Sequence, residues 1–130
     1  MSTSTPAAFQ PVDQGATLWS ISVYVRRNAD TGEPELYVRE VTQTVAKVTP
    51  QRLRWVEDRD ARYPETVHRA KPNDLGLVAM VHSYGAGGRF YASREQAIAA
   101  MLDANDGARK HVEAKLAAVI ARWEVAHTYV

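Results

Sequence analysis

The chain has 130 residues, a formal net charge of +1, 45% hydrophobic and 24% charged residues, and no cysteine. That length supports one domain, and the composition excludes a disordered chain, a collagen-like repeat and a coiled-coil rod. The missing cysteine excludes disulfides, thiolate nucleophiles, iron–sulfur clusters and cysteine-ligated zinc; no run of about 18 apolar residues offers a membrane span.

Residues 1–17 are small, polar and proline-containing, with no basic stretch leading into an apolar segment, so they do not read as a secretory signal. The expectation is a flexible arm over 1–17, docking through Phe9, and a cytoplasmic protein. One domain follows over 18–130, mainly β over 18–92 and helical over 93–127. From Leu18 to Arg26 the chain alternates, with Trp19, Ile21, Val23 and Val25 on one face, and this predicts a half-buried strand with that face inward. Residues 28–34 form a loop rich in turn formers. A second strand runs from Leu36 to Val48; Leu36 and Val38 are out of phase with Val41 and Val45, which a β-bulge near Glu40 would reconcile.

Arg52-Leu53-Arg54-Trp55 alternates again, with Leu53 and Trp55 inward and both arginines outward. Glu57 to Ala61 is a charged turn, and Arg62 to Arg69 reads as a short edge strand that tolerates Pro64. Leu75 to Tyr84 is apolar in both phases and is read as a strand in preference to a short helix, because Gly85 to Gly88 and Arg89-Phe90-Tyr91 resemble a turn and its return. Ser93-Arg94-Glu95-Gln96 is a capping box. It opens a helix to about Ala104 that buries Ala97, Ile98, Met101 and Leu102. A second helical stretch, Ala108 to Ala126, carries Val112, Leu116, Val119, Ile120 and Trp123 on one stripe. Strands first and helices last predict an α+β fold: a small twisted antiparallel sheet or partly open barrel of four or five strands, then one long bent helix or an αα-hairpin.

No motif points to catalysis. The four histidines lack the spacing that places two ligands on one helix face, and His82, in the most apolar run, is expected to be buried. Glu57, Asp58 and Asp60 alternate with arginines in a wet turn, which favours ionised carboxylates over a catalytic pair. The glycine-rich stretch around 85–88 lacks the lysine and the following helix of a phosphate loop. No catalytic residue, metal ligand or cofactor is expected.

Charge is unevenly placed. Residues 36–72 carry eight basic and five acidic groups, and twelve of the sixteen basic residues in the chain are arginine, the side chain suited to phosphate and to planar stacking. Arg52, Arg54, Arg62, Tyr63 and Arg89 are the expected partner-binding residues. The helical stripe is expected to pack on the sheet, with self-association as a homodimer or docking in a partner's groove as the alternatives.

Val45 to Trp55, Arg62-Tyr63, Glu65-Thr66-Val67 and Arg89 to Ala97 together resemble small phage and prophage proteins, in which a K-V-T strand ending on an aromatic precedes a helix opening F-Y-x-S-x-E-x-A. The likeness spans half of the chain and departs from that pattern between Lys71 and Gly88. It implies a β-plus-helix module of a mobile element that binds and diverts a host machine, and it carries over no catalytic residue. The expected function is a small non-catalytic binding module for a host protein or nucleoprotein. Direct nucleic-acid binding by the arginine face is the alternative, and a small enzyme the third.

Overall fold

The computed structural model describes residues 9–82 and 88–129. Over these the chain forms β1 (Thr17–Arg27), β2 (Pro34–Val48), β3 (Arg52–Trp55), β4 (Val67–Arg69), β5 (Leu77–Met80), β6 (Arg89–Tyr91) and α1 (Arg94–Tyr129). Successive strands pair antiparallel, and β6 returns to β1 through Trp19 and Tyr91 to close a barrel. The class is α+β, as the segregated order requires, with six strands in place of four or five and a closed barrel in place of a partly open one. Strands β4 to β6 have only three or four residues, too few for a period to stand out. The expected edge strand over 62–69 shrinks to Val67–Arg69 between β3 and β5. Pro64 lies ahead of it, where no ladder N–H is required.

Leu18, Val45, Leu53, Trp55, Val67, Val78, Ala79, Val81 and Phe90 fill the barrel. Trp55 packs against Phe90 with ring centroids 4.9 Å apart, and its Nε1 donates to Glu65 Oε1 at 2.9 Å. Leu53 and Trp55 point inward and Arg52 and Arg54 outward, as the alternation requires. In β1 the Trp19–Ile21 face is covered by the helix and not by the barrel. Leu18 joins the barrel core with buried Ser20 in the same phase, whereas Trp19 and Ile21 belong to an outer cluster with Tyr91, Ala97 and Ala100 beneath α1. This stretch of β1 is covered on both faces, by barrel and by helix.

The register of β1 with β2 is unbroken from Thr17 opposite Thr44 to Arg27 opposite Pro34, so there is no bulge at Glu40. Val41 and Val45 face the barrel, while Leu36 and Val38 belong to the opposite face and are exposed. The bulge lies instead between Val45 and Lys47, against β3. A second shift, between Leu77 and Ala79 against β6, lets the successive residues Val78 and Ala79 both be buried. That is why the run was apolar in both phases. His82, just past this strand, is exposed and not buried. The stretch 85–87 of the glycine-rich loop lies outside the described residues.

From Phe9 the chain before β1 lies against the barrel. Gln10 N–H donates to Ala70 O at 2.8 Å and Gly15 N–H to Val45 O at 2.7 Å. The Arg69 guanidinium, which donates to Thr49 O at 2.9 Å, sits 5.5 Å from the Phe9 ring centroid.

Helix α1 starts as the capping box predicts, with Gln96 N–H donating to Ser93 Oγ at 3.1 Å; the Gln96 side chain meets the same hydroxyl at 3.2 Å instead of reaching the backbone. Its first turns bury Ala97 and Ala100 and half-bury Ile98 and Met101, but Leu102 is 54% exposed. The helix runs through Gly107 without a break, so the alternative of an αα-hairpin does not hold. A Cβ at Gly107 would meet no atom within 4 Å. Gly107→Ala is therefore expected to stabilise α1 by about 1 kcal/mol, read as roughly five-fold slower amide exchange over 105–112. Unchanged or faster exchange would show that the helix is interrupted there in solution.

Candidate functional site

From Leu102 onward every described residue of α1 is exposed. Helical rise makes this stretch ~42 Å long. A helix that touches nothing should be polar all round, yet Val112 (61%), Leu116 (57%), Val119 (58%), Ile120 (47%) and Trp123 (60%) stand exposed on one face. Core packing of this stripe, the first expectation, does not occur: the barrel is covered by the first turns alone. The Trp123 and His127 rings lie 4.2 Å apart one turn from the end. No helix among the described residues is long and apolar enough to cross a membrane.

A second apolar face lies close to where α1 leaves the barrel. Beyond Trp19 in β1 and Val45 in β2, no third strand among the described residues pairs with this hairpin. Its tip is held by Asn28, whose Oδ1 accepts the amides of Asp30 (2.8 Å) and Thr31 (3.0 Å), and by Gly32 at φ +72°. On its outer segment the cross-strand pairs Val23–Val38 and Val25–Leu36 are 41–72% exposed. Between hairpin and helix is a 220 Å³ cleft lined by Ile21, Val23, Tyr91, Met101 and Ala104, among others. Burial there pushes the Tyr91 phenol above its ordinary range, with Arg89 opposing the shift.

The arginines expected to bind a partner divide among three places. Arg52 and Arg54 stand on the outer face of β3 with Lys47 opposite Arg54, along a 210 Å³ groove that Thr49 and Thr66 also line. None of these three cations has a carboxylate within ion-pair distance among the described residues, where the pairs are Arg94–Glu40 and Arg109–Glu113. Arg62 lies 5.4 Å from the Tyr63 ring centroid, and Tyr63, 83% exposed, opens onto an adjoining polar cleft with Glu57, Asp58 and Glu65. Arg89 is on β6, across the barrel from β3, beside the cleft under α1.

That polar cleft, 580 Å³ in volume, also brings together His68 and His82, with ring centroids 5.3 Å apart. Their separation in sequence hid this proximity, which only the pairing of β4 with β5 creates. Among the described residues no group of three or more histidine, aspartate or glutamate side chains is placed to hold a metal ion. The hairpin face was equally hidden, because Val23 and Val25 share the phase of Trp19 and Ile21. No family model, curated protein or solved structure matches the chain.

Proposed function

We propose that this chain is a non-catalytic interaction module whose primary docking surface is the apolar stripe of α1, and whose occupant is a protein presenting a complementary helix. The exposure of Val112, Leu116, Val119, Ile120 and Trp123 along a stretch of α1 in which every described residue is exposed carries this reading. Helices in proteins draw most of their stability from packing an amphipathic face, and an apolar patch of this extent on a monomer ordinarily marks an interface. Lys47, Arg52 and Arg54, cations without carboxylate partners among the described residues, support a second reading in which β3 engages the phosphates of a nucleic acid or nucleoprotein. The likeness to phage proteins adds a host machine as the class of target for the assembled module.

A photo-reactive residue placed at 116, at 123 or, for comparison, at 54 separates these surfaces in cells producing the chain. Discrete protein adducts at 116 and 123, another copy of the chain included, are expected. Nucleic-acid adducts at 54 with none at 116 or 123 would overturn the primary reading in favour of the second.

A further inference from the structure

We propose that a second copy of this chain covers the stripe, antiparallel to the first, with Leu116 of each copy against Val119 of the other; this rests on reading the stripe as a protein interface. The spacing selects a helix as the occupant. Val112, Leu116, Val119, Trp123 and Ala126 follow one another in steps of four and three, the seam that two helices share, and Ile120 flanks it.

Direction follows from what the seam contains. Continued toward the barrel, the same steps reach Arg109 and then Asn105. A parallel pair would set Arg109 against Arg109 and Trp123 against Trp123. The antiparallel pair sets Arg109 against Ala126 and Trp123 against Val112, so that each large side chain in the seam meets a smaller one and the two seam arginines separate.

Area supports the same occupant. The exposed stripe amounts to on the order of 500 Å² of apolar surface per copy, so two facing stripes bury about 1,000 Å², the lower bound for a specific interface, before flanking residues are added. Such an interface is isologous and closes on itself.

The hairpin supplies an independent fit. Met101 lines the cleft with Val23, and Tyr129, 91% exposed, lies four whole heptads further along, on the same flank once the paired helices supercoil. Antiparallel pairing sets equal flanks side by side. It therefore brings Tyr129 of the second copy level with Ala108 on the hairpin side, toward the exposed face of Val23, Val25, Leu36 and Val38. One occupant thus addresses both unpartnered apolar faces. On that flank Lys115 also comes near Arg122 of the other copy, so screening by salt strengthens this assembly, whereas phosphate contacts weaken with salt.

The chain has no cysteine of its own, so engineered thiols report on the pairing directly. Under mild oxidation a mixture of full-length Val112→Cys and Trp123→Cys chains is expected to form the mixed disulfide, and neither variant alone a disulfide dimer. Sedimentation equilibrium is expected to show a dimer that tightens between low and high salt, and Leu116→Glu with Val119→Glu to weaken it by more than about 100-fold while barrel near-ultraviolet dichroism is unchanged. A disulfide dimer of Val112→Cys alone would overturn the antiparallel arrangement, and a monomer at 100-fold molar excess over cellular concentration would overturn the second copy. If that monomer still gives adducts to another protein at position 116, the interface reading stands without self-pairing; if position 116 gives none, both fall.

Discussion

Trp55→Ala is expected to lower the unfolding free energy by about 3–5 kcal/mol, the range for removing a large aromatic from a packed core. Trp55 is 1% exposed, is the largest fully buried side chain in the barrel, and rests on Phe90. Its loss opens a void that walls of short strands can close only by breaking ladder bonds, and it leaves Glu65 Oε1 without the indole donor. With typical domain stabilities of roughly 5–15 kcal/mol, the variant should sit near the edge of folding. Urea unfolding followed by far-ultraviolet dichroism measures this. Trp55→Phe, which keeps most of the volume and removes the donor, should cost clearly less. A loss below about 1 kcal/mol for the alanine variant would mean that the indole does not fill the barrel.

Gly88→Ala should be almost as damaging, by about 3 kcal/mol from overpacking together with a broken backbone hydrogen bond. A Cβ built on Gly88 would overlap the carbonyl oxygen of Val81, and that neighbour is backbone that cannot rotate aside. The two residues are already joined by the Val81 N–H donating to Gly88 O at 2.7 Å. Making room parts the chain where β5 meets β6, next to core residues Val81 and Phe90. The contrast with Gly107→Ala is the check. The same substitution stabilises an exposed helix and destabilises a packed barrel seam, so opposite shifts of exchange rate and unfolding midpoint are expected. A neutral Gly88→Ala would show that Val81 and Gly88 are held less tightly than this close approach requires.

The interaction reading and the stability predictions are separable by position. The stripe from Val112 onward belongs to neither buried cluster, whereas Trp55 and Gly88 sit in or beside the barrel core. A variant that loses partner contact with an unchanged unfolding midpoint therefore reports on the interface alone.

Much of the architecture is a local property of the sequence. Segregated strands and helix determine the α+β class. Ser93 and Gln96 mark the start of α1, and the alternation of Arg52 to Trp55 determines which side chains fill the barrel, because period two sends neighbours to opposite faces. The helical stripe itself is also written in the spacing. Whether that stripe is covered was decided by the tertiary structure: six short strands close on one another and need only the first turns of α1, so the rest of the helix has nothing to bury against. Tertiary structure also decided the face of β1. Alternation shows that one phase is apolar, but Leu18 is turned into the barrel and Ile21 under the helix, and Val23 of the same phase lies past both layers in the hairpin. Likewise His68 meets His82, and Arg89 is separated from Arg52 and Arg54, only through strand order around a closed barrel. Residue type and period govern which side a chain segment turns inward; what lies opposite that side depends on long-range pairing, and the surfaces proposed for function are made of that difference.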